Sequence, residues 1–159
     1  MEKLFSLKNF YLLIALLSIL TLISAVYIEY VLDIKPCKLC LYQRIPYIIA
    51  IFLCFFGYGN FKNLLWGYLL ILTFVISLIL SGYHAGIENN IFQEFSGCSA
   101  NNLNIIDKAE LLNSLNEKIP NCKDIGFRML GLSLATINFI ISIIVIVISV
   151  LIIKNEKNR

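Results

Sequence analysis

The chain has 159 residues, 59% of them hydrophobic and 14% charged, with a mean hydropathy of +0.83. Soluble domains carry about 45–50% apolar and about 25% charged residues, so a soluble globular domain, a disordered chain and a solvated coiled coil are all excluded. A net charge of +3 spread along the whole sequence is too diffuse for a nucleic-acid groove, and no nucleic-acid partner is expected.

Four apolar stretches remain, and they predict an all-α integral membrane four-helix bundle, a single domain over residues 1–159. The spans are expected at about 10–28, 43–59, 64–83 and 129–153, joined by outer loops at about 29–42 and 84–128. Lipid offers no partner to free backbone groups, so each span must be a helix. At 1.5 Å per residue the first, third and fourth runs cover a hydrocarbon core of about 30 Å. The second run is apolar only from Ile45 to Tyr58, about 14 residues or about 21 Å, so it crosses by borrowing neighbours such as Leu41 and Tyr42 or by thinning the bilayer. Pro46 disfavours helix before it, which predicts a regular helix starting near Pro46.

Lys3 and Lys8 precede the first run as they would in a signal peptide, yet about 19 apolar residues exceed the usual h-region and no small-x-small site follows. A retained span is expected. Lys3, Lys8, Lys62, Lys154, Lys157 and Arg159 crowd into about 20 residues on one face. The basic residues of the other face are spread over about 61, so the density rule makes the termini cytoplasmic. Within the second outer loop, Asp107 and Glu110 fit a capping box, and Leu111, Leu112 and Leu115 share one face, which predicts a short amphipathic helix near 107–118.

Cysteine placement carries the chemistry. Cys37 and Cys40 fall in the first outer loop, Cys98 and Cys122 in the second, and Cys54 inside the second span, where it reads as a small packing residue. Four thiols on an outward face imply two disulfides in an oxidising compartment. The C-x-x-C spacing of Cys37 and Cys40 favours a reactive, low-pKa thiol, helped by the adjacent helix N-terminus and by Arg44 four residues past Cys40. Two purely structural disulfides are the plain alternative. A four-cysteine zinc site lacks a second C-x-x-C, and covalent haem lacks a histidine after Cys40, so no metal is expected. Disulfide exchange that stays oxidising needs a stronger acceptor, and a lipid-soluble quinone reaches such a pair from the bilayer. Arg44 supplies charge and donors for a quinone oxygen. His84, the one histidine, either donates to the same headgroup and carries a proton, or merely caps a helix at the interface.

Pro36-Cys37-Lys38-Leu39-Cys40-Leu41-Tyr42-Gln43-Arg44 resembles the P-C-x-L-C-x-x-Q-R signature of the disulfide bond formation protein B family. Tyr83-His84-Ala85-Gly86-Ile87-Glu88 and Arg128-Met129-Leu130-Gly131-Leu132-Ser133 resemble two further segments of one branch, with Met129 in place of the usual phenylalanine. The resemblance implies a multi-pass enzyme of the bacterial inner membrane with periplasmic cysteines. Such an enzyme reoxidises a DsbA-like thioredoxin-fold oxidase and passes two electrons to a membrane quinone, ubiquinone or menaquinone. It further implies disulfides Cys37–Cys40 and Cys98–Cys122, with Cys98 meeting the partner and Cys40 forming the thiolate at the quinone. Arg44 and His84 become cofactor-binding residues. A four-helix oxidoreductase reducing a quinone-like vitamin and a non-enzymatic four-span scaffold are the competing readings.

Overall fold

Side-chain placement in this chain inverts that of a soluble protein. Phe52 and Phe55 on the outside are 62% and 75% exposed, while Ser18, Ser77, Ser81, Ser142 and Ser149 are fully buried. Lipid is as apolar as phenylalanine, so large apolar groups can face outward, while small serines that let helices approach share the interior with a core of larger side chains. The computed structural model describes residues 7–61, 63–94, 121–123, 126–129 and 131–158.

The described elements are α1 (Leu7–Tyr30), α2 (Lys38–Tyr42), α3 (Arg44–Gly59), α4 (Leu65–Glu88), β1 (Arg128–Met129), β2 (Leu132–Ser133) and α5 (Leu134–Lys157). Four helical segments are long and apolar enough to cross a membrane: Leu7–Tyr30, Lys38–Gly59, Leu65–Glu88 and Leu134–Lys157. The result is the expected four-helix membrane bundle. Its largest packing faces lie between α4 and α5 and between α1 and α3. Ser142 Oγ donates to Ser77 Oγ at 3.1 Å across the first of these. Tyr11, Ile14, Tyr47, Ala50, Cys54, Leu70, Phe74 and Val145 form the central core, so Cys54 packs as an apolar residue.

The first span is longer than expected at both ends, Leu7–Tyr30, and the last helix runs on to Lys157; three further boundaries shift for a local reason. The second span begins at Lys38 and not near Pro46, because Cys37 caps it: its Sγ accepts the Cys40 N–H at 3.2 Å. Pro46 still leaves its mark. It cannot donate to the Tyr42 carbonyl, and the helix is interrupted at Gln43, whose φ of −68° and ψ of −16° keep the chain helical through the break.

The third span runs to Glu88, one turn past the expected end. Asn90, at φ 58°, closes it with the paired bonds Ile91 N–H to Gly86 O and Asn90 N–H to Ile87 O, a Schellman ending. The fourth starts at Leu134. Ahead of it, β1 and β2 pair antiparallel through Gly131 at φ +83°, a conformation that suits glycine, and Ser133 then caps α5 by accepting the Thr136 N–H at 3.2 Å. The amphipathic helix expected near 107–118 lies outside the described residues.

Close approach of α1 and α3 rests on Gly57, where an added Cβ would fall 2.8 Å from Cε1 of the fully buried Tyr11 ring. Gly57→Ala is predicted to cost about 1–3 kcal/mol by overpacking. Thermal unfolding in detergent reads this out, and a variant as stable as the parent would refute the packing account.

Candidate functional site

Capping by Cys37 has a chemical consequence. Its sulfur lies at the start of a span, with the Cys40 N–H directed at it and the helix dipole behind it, an arrangement that favours thiolate over thiol. Cys40 stands one turn on, and the two sulfurs are 2.8 Å apart. The pair expected as a disulfide is thus held here as two free thiols.

His84 completes the cluster from α4. Extending that helix to Glu88 turns His84 from an interfacial residue into a buried one, 3% exposed. Its Nε2 is 3.6 Å from Cys37 Sγ and 3.2 Å from the Cys122 carbonyl oxygen. A carbonyl only accepts, so Nε2 carries the proton and Nδ1 is the acceptor. A chain of buried polar groups agrees. Tyr47 O–H donates to Asn138 Oδ1 at 2.5 Å, Asn138 Nδ2 donates to Gln43 Oε1 at 2.9 Å, and Gln43 Nε2 donates to His84 Nδ1 at 2.9 Å. Three helices thereby fix one imidazole ring in one tautomer.

With the Cys40 amide and the His84 ring already directed at Cys37, Cys37 accepts the thiol hydrogen bond from Cys40. That bond is the main influence drawing the Cys37 thiol down to about 5. Burial opposes it, and the hydrogen bond from the neutral His84 ring reinforces it. Leu39 and Ile87 pack around Cys37 and Cys122 and keep the group dry, while Cys40 and Tyr83 border it.

Cys122, buried and disulfide-bonded, brings the second outer loop into this cluster. Cys98, its expected mate, lies outside the described residues. Arg44 does not join the sulfurs: its Nη1 binds Glu29 Oε2 at 2.5 Å, joining α3 to the end of α1, with both side chains 22% exposed. The electrostatic help expected from Arg44 is supplied at Cys37 by His84 and the Cys40 amide.

Several residues were missed by sequence reasoning. Glu88 places Oε1 3.7 Å from His84 Nε2 and accepts a hydrogen bond from Ser133 Oγ on Oε2. Gln43, Asn138 and Glu29 were missed as well. A signal existed for each: polar groups within or at the ends of apolar spans are costly unless partnered, so they mark functional sites. Pairing across helices was invisible in one dimension.

Fold and site together define a four-span membrane protein with a buried, polarised dithiol beside a loop disulfide. The sequence matches the family described as disulfide bond formation protein DsbB over residues 7–152, and the chain belongs to that family. It is 28% identical over 152 residues to an uncharacterized protein of Rickettsia prowazekii (strain Madrid E), covering 90% of this chain and 86% of that one. It is 28% identical over 136 residues to disulfide bond formation protein B of Saccharophagus degradans, covering 81% and 82%. To the protein of the same name from Ralstonia nicotianae it is 30% identical over 84 residues, covering 52% and 53%. It is therefore a multi-pass membrane protein of disulfide bond formation.

Donors directed at Cys37 hold its thiol below the ordinary cysteine range, so alkylation of reduced Cys37 should reach half its plateau rate at a lower pH than for free cysteine and stay flat toward pH 8. His84→Ala removes a stabilising donor and should move that midpoint upward. Iodoacetamide labelling followed by peptide mass spectrometry measures both, and an ordinary thiol midpoint in the parent would contradict the geometry.

Proposed function

We propose that the chain is a thiol:quinone oxidoreductase that reoxidises a DsbA-like dithiol oxidase on the periplasmic side of the bacterial inner membrane. Both termini are then cytoplasmic, as the basic-residue density suggests. The observation that carries this reading is the shared burial of Cys37 and Cys122 in one cluster, because disulfide exchange requires sulfurs of the two loops to meet.

A thiolate of the reduced partner attacks Cys98 of the Cys98–Cys122 disulfide, forming a mixed disulfide and releasing Cys122 as thiolate. The partner's second thiol resolves that bond, and the partner leaves oxidised. The two electrons now rest on Cys98 and Cys122. Exchange with the Cys37–Cys40 disulfide restores the loop disulfide and leaves Cys37 and Cys40 reduced. When Cys37 is bonded to a loop sulfur, Cys40 is the free member, which reconciles a thiolate at Cys40 during turnover with one at Cys37 in the resting dithiol.

When bound beside Cys40, a quinone would supply the acceptor for the two electrons and two protons held by the reduced Cys37–Cys40 pair. This chain's residues fit such a group. Cys40 is only half-buried and opens a membrane span, and Arg44 follows one helical turn later with its guanidinium partly exposed. Arg44 would hold a quinone oxygen, kept in place by Glu29, while His84 keeps a donor at Cys37.

Cys98→Ser is expected to abolish oxidation of a reduced thioredoxin-fold partner while the first pair still reacts with quinone. Normal partner turnover by that variant would overturn the relay order. Arg44→Ala should raise the apparent quinone KM about tenfold, the worth of one charge-assisted hydrogen bond, with the loop disulfide intact. An unchanged KM removes Arg44 from the quinone site. Thiol trapping in membranes separates the enzyme from a scaffold, since both pairs cycle with quinone supply in the first and stay oxidised in the second.

A further inference from the structure

We propose that the reduced Cys37–Cys40 pair and His84 form a binding site for one soft divalent cation of the zinc and cadmium class, held by Cys37 Sγ, Cys40 Sγ and His84 Nε2. Two of these ligands belong to the four-cysteine set considered from sequence, and His84 takes the place of the second loop's pair. The sulfur atoms and an imidazole nitrogen all lie within 4.8 Å of one another, on two helical segments.

The spacing fits the cation class. With zinc–sulfur near 2.3 Å and zinc–nitrogen near 2.05 Å, a tetrahedral S–Zn–N edge is about 3.6 Å. Cys37 Sγ and His84 Nε2 stand 3.6 Å apart. The corresponding S–Zn–S edge is about 3.8 Å, so the present 2.8 Å separation of the sulfurs must open by about 1 Å. Cys40 can supply this by side-chain rotation, since it is half-buried and at the edge of the cluster. Thiolate sulfur and imidazole nitrogen suit zinc and cadmium and are poor ligands for magnesium or calcium.

A histidine that binds metal through one nitrogen is oriented through the other. His84 has that support, because Nδ1 already faces the Gln43 amide. Ligation needs a lone pair on Nε2, hence the proton on Nδ1. Turning the Gln43 and Asn138 amides over keeps their mutual bond and the bond to the ring, and lets Asn138 donate to Tyr47, whose hydroxyl has Ser142 as a further neighbour. Of the groups around the ring, the Cys122 carbonyl gives up its donor. The fourth position stays open for water. Glu88 Oε1, 3.7 Å from Nε2, adds negative charge beside it. Binding involves no electron transfer. The cation takes the sulfur lone pairs and the thiol protons go to solvent, so an oxidised pair cannot hold it. That such a cation would halt electron flow rests on the proposed function; the binding does not.

The test uses the full chain in detergent, reduced, in a Cys98→Ser, Cys122→Ser background so that the first pair is the sole dithiol. Cadmium alone is the probe, read by its thiolate charge-transfer absorbance and by 113Cd NMR with 15N-labelled histidine. The expected result is one equivalent bound to the reduced chain and none to the oxidised chain, with coupling between 113Cd and a ring nitrogen. Affinity should fall at least tenfold in His84→Ala and in His84→Gln. No saturable binding overturns the site, as does binding without nitrogen coupling, which would show the dithiol chelating alone. The coupling is read on a chain that keeps His84, so misfolding of the His84 variants leaves the answer intact.

Discussion

The structure depends on one buried imidazole ring having every position spoken for. His84 accepts from Gln43 on one side and donates toward the Cys122 carbonyl and Cys37 on the other. A buried polar group without a partner costs about 1–3 kcal/mol, and a partly satisfied network costs more than an apolar core would. The ring therefore dictates where α2, α3, α4 and the Cys122 segment can lie. Asn138 extends the same demand to α5.

This constraint links bundle assembly to reactivity. Helices in lipid are not driven together by the hydrophobic effect, so small-residue packing and interhelical hydrogen bonds hold them. The Tyr47–Asn138–Gln43–His84 chain is such a bond series, and its last member polarises the dithiol. Ser133 works similarly at the other margin, capping α5 while donating to Glu88. The dithiol thus sits where several helix ends converge, dry on the side of Leu39 and Ile87 and half-buried at Cys40.

Much of the fold was legible in one dimension. Four apolar runs of this length and the absence of backbone partners in lipid leave a helical bundle as the solution, and the C-x-x-C spacing placed Cys37 and Cys40 one turn apart. Boundaries were read less well. Pro46 suggested a late start, but a cysteine acting as an N-cap outweighed it, and cysteine is not among the usual capping residues. The third span was cut at Tyr83 because the apolar run stops there. Its backbone continues to a Schellman ending at Asn90.

Sequence by itself determined the number of spans and the membrane setting, because hydropathy is a local property and a long apolar run in lipid has one physical solution. The partners were decided by tertiary structure alone. Arg44 was expected beside Cys40 and is bound to Glu29; His84 was expected either at a quinone headgroup or as an interfacial cap, and is buried against Cys37 and Gln43. Hydrogen bonds between residues as far apart as Gln43 and Asn138 depend on how helices rotate against each other, and rotation is set by packing across the whole bundle.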